Sequence, residues 1–347
     1  MKQKSFAKLI AVAVLLLLLT GCETAETADM TATDAVRTGE YETAEQVADS
    51  YIAATGGDKL IYRAKGLALL GKGEYDSAAE SFIEALHCSN GIVLPVDTDI
   101  SYYLAVAQYK AGDFEEARDT IDAILGLRPK DDGAYFLRGK IDLAMGSREE
   151  AMSDFDITIS LAPTNYDRFV GIYEELHAKG YEDEADSYLE KAISAGNKLS
   201  DYNKGVLEYY LGSYTDARGD LENARKKDSN ENLILYLGKT YEALGDEGYA
   251  ISLYEEFIRT NPTAGRIYEQ LATVRLNKGD YEDALEVIET GLSLGNGEGM
   301  QGLMFDRVVA YERLYDFKSA AEYMDEYLAV YPDDEVALRE RVFLSSR

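Results

Sequence analysis

The chain has no tryptophan, two cysteines, two histidines and five prolines among its 347 residues. Each shortage removes a class of chemistry. His87, His177, Cys22 and Cys88 are too few to assemble a zinc site of the usual His and Cys kinds, so no metal is expected. The sequence also lacks a Gly-rich phosphate loop, a nucleophile elbow and a paired-histidine motif, which argues against an enzyme and against a cofactor. Positive charge is scarce as well, with 35 Lys and Arg against 64 Asp and Glu and a net charge of −29. A nucleic-acid partner needs a basic stripe to neutralise phosphates, and none is present. Long apolar runs are reduced to one, the eleven residues from Leu9 to Leu19, well short of the roughly 20 that span a bilayer as a helix.

What the chain does contain is a period. Ala44, Ala78, Ala117, Ala151, Ala185, Ala217, Ala250, Ala284 and Ala320 follow one another at spacings of 34, 39, 34, 34, 32, 33, 34 and 36 residues. Five residues before them stand Gly39, Gly73, Gly112, Gly146, Gly180, Gly212, Gly245 and Gly279, with Tyr315 at the ninth place. A glycine there ends a helix, because the left-handed C-cap conformation costs it little. Two residues after the glycine an aromatic recurs, as in Tyr41, Tyr75, Phe114, Tyr214, Tyr281 and Phe317, and can plug the turn. Four residues after each alanine stand Phe82, Ile121, Phe155, Leu189, Leu221, Tyr254, Ile288 and Met324, with Ala48 in the first unit; this i, i+4 pairing defines one buried helix face. Pro129, Pro163, Pro262 and Pro332 lie twelve residues after their alanines and stop a second helix. Twelve residues before the alanines, Gly66, Ala105, Gly139, Gly205, Gly238 and Ala272 predict a close crossing of the two helices where both faces are small, with Tyr173 and Val308 as departures.

A helix-turn-helix unit of about 34 residues resembles the tetratricopeptide repeat family. Gly66 to Ala85 (GLALLGKGEYDSAAESFIEA) and Tyr268 to Leu292 (YEQLATVRLNKGDYEDALEVIETGL) carry the resemblance by themselves. It implies an all-α, right-handed superhelical solenoid of stacked repeats that binds protein or peptide segments. The expected organisation is a signal segment at 1–21, a lipidated cysteine and short tether at 22–29, an atypical capping repeat at 30–56, eight repeats over 57–334 and a capping helix at 335–347. The 39-residue spacing contains an apolar insertion, Gly91 to Val96. Cys88, ten residues after Ala78 where other units have Leu127 and Leu161, is expected in a buried contact between repeats.

The N-terminus carries a second signal. Lys2, Lys4 and Lys8 precede the apolar run, which ends in Leu19-Thr20-Gly21-Cys22 and resembles a bacterial lipoprotein signal with its lipobox. The resemblance implies cleavage before Cys22 and acylation of that cysteine, a two-chain anchor outside the cytoplasmic membrane. Removing residues 1–21 leaves 32 basic residues against 64 acidic ones, which favours basic or neutral partners.

In the family, the first helix of each pair lines the concave side. Its exposed positions fall here fifteen, eleven and eight residues before the anchor alanine. In the first full repeats they are Arg63, Leu67 and Leu70, then Tyr102, Val106 and Tyr109, then Phe136, Lys140 and Leu143, then Val170, Glu174 and His177. Further along they are Tyr202, Val206 and Tyr209, then Leu235, Lys239 and Glu242, then Glu269, Thr273 and Leu276, then Phe305, Val309 and Glu312. Six of these are aromatic, which suits a peptide or helix laid in a groove. Only Arg63, Lys140 and Lys239 are basic and no two are in adjacent repeats, which speaks against a carboxylate clamp for an acidic tail. The leading expectation is a membrane-tethered, extracytoplasmic scaffold of a cell-envelope complex. Alternatives are a periplasmic assembly factor for outer-membrane proteins or pili, and a hydrolase using groove carboxylates such as Glu174 and Glu242.

Overall fold

The computed structural model describes residues 25–89, 91–195, 199–295, 297, 299–332, 334–345 and 347. Among these residues it contains nineteen α-helices and no strand. Nine helix pairs follow one another: α1 (Ala25–Arg37) with α2 (Tyr41–Thr55), α3 (Lys59–Lys72) with α4 (Tyr75–His87), α5 (Pro95–Ala111) with α6 (Phe114–Leu127), α7 (Asp132–Met145) with α8 (Arg148–Leu161), and α9 (Tyr166–Ala178) with α10 (Glu182–Ser194). The remaining pairs are α11 (Asp201–Tyr210) with α12 (Tyr214–Arg225), α13 (Glu231–Ala243) with α14 (Glu247–Thr260), α15 (Gly265–Lys278) with α16 (Tyr281–Leu294), and α17 (Met300–Arg313) with α18 (Phe317–Val330). A single helix, α19 (Glu335–Leu344), follows them. The chain divides into two compact units, an N-terminal one running to Ala185 and a C-terminal one from Asp186.

All nine anchor alanines are completely buried, as are all nine side chains four residues after them. Each turn before an anchor is left-handed: the eight glycines have φ between +70° and +93°. In α3 the turn closes with Glu74 N–H donating to Leu69 C=O at 2.9 Å, a Schellman arrangement that satisfies an otherwise orphaned carbonyl. Tyr315 adopts the same backbone at φ +63°, the sole non-glycine to do so among the described residues. An L-residue loses roughly 1–2 kcal/mol in that region, so the repeat imposes the turn against the residue's preference. Acidic side chains gather in the first turns of second helices, as Glu115 and Glu116 in α6 or Glu149 and Glu150 in α8, where the helix dipole favours them.

The small residue twelve before the anchor makes room chiefly for the large side chain four residues beyond the anchor, and at Gly205 the crossing is close enough that the added Cβ would also lie 3.1 Å from the carbonyl oxygen of the anchor Ala217. A Cβ placed on Gly66 would lie 2.6 Å from the Phe82 ring, on Gly139 2.5 Å from Phe155, on Gly205 2.6 Å from Leu221 and on Gly238 2.1 Å from Tyr254. Where this position is Ala105 or Ala272, its counterpart is the slimmer Ile121 or Ile288, and Val308 is matched by Met324 in one cluster. At Gly66, Gly139 and Gly238 the missing side chain makes room for an aromatic ring, which keeps the packing dense.

Two further expectations are corrected. Helix α1 begins at Ala25 and buries Ala28 and Ala32, so residues 25–29 belong to the first helix pair rather than to a tether. Cys88 is exposed, not buried, because α4 ends at His87 and the position ten after the anchor lies on the outer side, where Leu127 and Leu161 are also exposed. Partial desolvation, with the Asp58 and Glu84 carboxylates, pushes its thiol up, away from a reactive thiolate. Cys22, the signal segment and the start of the tether lie outside the described residues.

Candidate functional site

First helices α3, α5, α7 and α9 carry the candidate binding residues of the N-terminal unit. Side chains there meet one repeat apart. Arg63 forms an ion pair with Asp99 at 2.6 Å. The Tyr102 hydroxyl donates to Asp131 Oδ1 at 2.5 Å, and burial together with that carboxylate pushes the phenol well above its ordinary range. Lys140 pairs with Glu175 at 2.7 Å and has its ammonium 5.8 Å from the Tyr109 ring centre and 5.7 Å from that of Phe136. Phe136 is also capped by the Arg168 guanidinium at 5.1 Å, itself paired with Asp132 at 3.0 Å. Tyr109, Phe136 and Lys140 are thus brought together, each partly exposed, with Leu67, Val106 and Val170 half-buried between helices. Glu174 and His177 are exposed, and the His177 ring stacks on Tyr173 at 5.3 Å.

In the C-terminal unit the same positions on α11, α13, α15 and α17 have a different character. Val206 and Leu235 are 7% and 6% exposed and belong to the core, as does Leu276, and in the N-terminal unit Leu143. These four are therefore not available to a ligand. Tyr202 and Tyr209 both lie against Tyr236, with ring centres 6.5 and 5.7 Å apart, and Tyr209 also meets Tyr210 and Tyr214. Tyr236 falls one place past Leu235, fourteen rather than fifteen residues before Ala250, so the spacing does not single it out. Beside Tyr202 an open cavity of about 370 Å³ is lined by Asn230, Glu231, Asn232 and Arg266, and Arg266 donates to Asn232 Oδ1 at 2.7 Å.

Carboxylates line the rest of this surface. Glu242 accepts from the Tyr254 hydroxyl at 2.7 Å and from the Gln270 amide, and burial raises its pKa despite those bonds. It serves as an acceptor that fixes a core tyrosine. Glu269, also raised by burial, lies against Gly299 and Gly302, where a side chain would collide with it. Asp306 accepts from Thr273 at 2.9 Å, and burial, aided by the Glu269 charge, pushes it up to about 6. Glu312 is pushed to about 7 by burial and by Glu340. Lys239 acts on Glu242 and Glu269 through its field, Phe305 packs on Tyr327 at 5.5 Å, and Val309 packs against the core of α15 to α17. No cluster of His, Cys, Asp and Glu able to hold a metal occurs among the described residues, and none of their helices is long and apolar enough to cross a membrane.

Stacked helix hairpins presenting partly exposed side chains from successive first helices define a repeat scaffold for protein interaction. The Tetratricopeptide repeat family model matches residues 30–91, 63–134, 202–265 and 269–335, which together cover more than half of the chain. The chain belongs to the tetratricopeptide repeat family. It is similar to the crystal structure of a tetratricopeptide repeat protein from Parabacteroides merdae, with 17% identity over 83% of this chain and 99% of that one and a TM-score of 0.48. It is also similar to MamA from Desulfovibrio magneticus, with 18% identity over 50% of this chain and 97% of that one and a TM-score of 0.41.

Proposed function

We propose that the protein is a lipid-anchored, extracytoplasmic tetratricopeptide scaffold that binds protein or peptide segments on its first-helix faces and organises a cell-envelope complex. The observation that carries the binding role is the recurrence of half-exposed aromatics beside charge on successive first helices, as in Tyr102, Tyr109, Phe136 and Lys140. Such rings offer contact area at little entropic cost. A net charge of −29, with Glu242, Glu269 and Asp306 on the C-terminal unit's first helices, favours segments carrying lysine or arginine. The anchor rests on Leu19-Thr20-Gly21-Cys22 after an eleven-residue apolar run.

Affinity capture from intact membranes tests the binding role. The full chain should retain partners that a Tyr102, Tyr109, Tyr202, Tyr209 quadruple alanine variant releases; identical capture by both would sink the first-helix surface. Radioactive palmitate tests the anchor. Wild type should take up label, and Cys22→Ser should not.

A further inference from the structure

The 39-residue spacing between Ala78 and Ala117 places extra chain between α4 and α5, and the nine residues from Cys88 to Val96 carry no charge in a chain that is 29% charged. Ile92, Val93 and Leu94 stand there in succession, 63%, 59% and 47% exposed. Consecutive aliphatic side chains turned to water are unfavourable for a soluble surface and mark a place where something apolar docks. The base of this loop is pinned. The Leu94 N–H donates to Asp97 Oδ2 at 2.7 Å, while the Ser89 hydroxyl and the Lys59 ammonium donate to Oδ1 at 2.7 and 2.6 Å. Asp97 is thereby buried and its charge is matched by Lys59.

The loop lies at the edge of the N-terminal unit where first helices begin. Lys59, the first residue of α3, bonds Asp97, the third of α5, and Arg63, the fifth of α3, pairs with Asp99, the fifth of α5, so these two helices start level. Helix α1 starts level with them. Its fifth residue, Asp29, lies in the fields of Arg63 and Asp58, and its Ala28 and Ala32 share a cluster with Ile61 and Ala64 of α3. Leu60, the second residue of α3, adds a partly exposed aliphatic side chain at this edge. Cys22 stands three residues before the first residue of α1, a span of at most about 11 Å. Adjacent helices are spaced by about 8–10 Å, so two such steps place the loop on the order of 20 Å from the start of α1.

We propose that Ile92, Val93 and Leu94 insert into the bilayer that holds the acylated Cys22, giving the N-terminal unit a second membrane contact; this rests on the lipid-anchored reading given above. The anchor decides which surface lies beside the starts of α1, α3 and α5, and the aliphatic loop stands at that same edge. A chain with a net charge of −29 is repelled by anionic headgroups, so the contact is made by apolar insertion and not by charge. Two contacts fix an orientation that one cannot. The edge carrying Lys59 and Pro95 is held toward the bilayer, and the turns at Gly73 and Gly112, at the other end of these helices, face away from it.

The test places an environment-sensitive fluorophore on Val93→Cys in a Cys88→Ser chain, acylated at Cys22 and reconstituted into phosphatidylcholine vesicles that contain a lipid brominated near the headgroup end of its acyl chains. Asp113→Cys, in the turn at the opposite edge, carries the same label as the reference. Brominated lipid should quench the label at position 93 about twofold or more and leave that at position 113 unchanged. Ile92→Asp, at a site exposed enough to leave the fold intact, should remove most of the quenching at position 93. In a chain that takes up palmitate, equal responses at the two positions, or quenching indifferent to Ile92→Asp, would overturn the proposal and leave the anchor standing. A wild-type chain that takes up no palmitate would overturn both. Sedimentation supplies the remaining arm: a dimer that Ile92→Asp dissolves, with position 93 unquenched, would assign the loop to a second copy and overturn the membrane contact.

Discussion

In the N-terminal unit Arg63, Lys140 and Arg168 each neutralise a carboxylate one repeat away, at 2.6 to 3.0 Å. In the C-terminal unit Glu242, Glu269 and Asp306 occupy first helices in the same way, yet none forms an ion pair among the described residues; Glu242 and Asp306 are held by hydroxyl and amide donors instead. First helices thus carry two electrostatic designs. The local sequence decides whether each charge is matched, so individual carboxylates such as Asp97 of the N-terminal unit and Asp306 of the C-terminal unit should respond in opposite directions to acid.

The largest effect tests what the units share. Gly238→Ala should destabilise by about 3 kcal/mol, because its Cβ would meet a Tyr254 ring pinned through its hydroxyl to Glu242. Gly139→Ala should behave alike in the N-terminal unit, and urea midpoints for both would break the shared packing rule if either matched wild type.

Next in size are two carboxylates that sharpen the contrast. Asp97 is buried, yet bonds from Lys59 at 2.6 Å, the Leu94 N–H and Ser89 hold it below the ordinary range. Its stabilisation is present above the unfolded aspartate pKa near 3.8 and is lost as pH falls through the lower folded value. Asp97→Asn should therefore cost about 2 kcal/mol at pH 7 and flatten the acid loss of stability. Asp306 has the opposite sign. Its folded carboxyl binds a proton up to about pH 6 while the unfolded one releases it near 3.8, so stability falls as pH rises through that window. Asp306→Asn should remove this slope and gain about 1–2 kcal/mol at pH 7, measured as urea midpoints between pH 4 and 7.

The smallest effect concerns one turn of the C-terminal unit. Tyr315→Gly should stabilise by about 1 kcal/mol, raising the melting temperature, because glycine accepts φ +63° without the penalty a Cβ brings. No gain would mean that the exposed Tyr315 ring, edge-on to Phe317 at 6.3 Å, offsets the strain.

Much of the fold was legible because it is periodic. Anchors such as Ala151, their partners such as Phe155 and the turn glycines recur often enough for spacing to reveal helix, turn and core without knowledge of any contact. The candidate surface was only partly legible. Positions fifteen, eleven and eight before the anchor identify a helix face, but Val206 and Leu235 sit where neighbouring helices close over it, and Tyr236 lies one place off the pattern yet joins the rings of Tyr202 and Tyr209. Cys88 misled for the same reason, since the position ten after the anchor faces outward, as it does for Leu127 and Leu161 inside their helices.

The sequence by itself determined the repeat, its length, its turns and its buried alanines, because these depend on residue size and backbone freedom counted along one chain. Only the tertiary structure decided that Gly238 makes room for Tyr254 and that Arg138 is held between two repeats. Those facts depend on which side chains meet across helices sixteen or more residues apart, where distance and burial, not spacing, set the interaction.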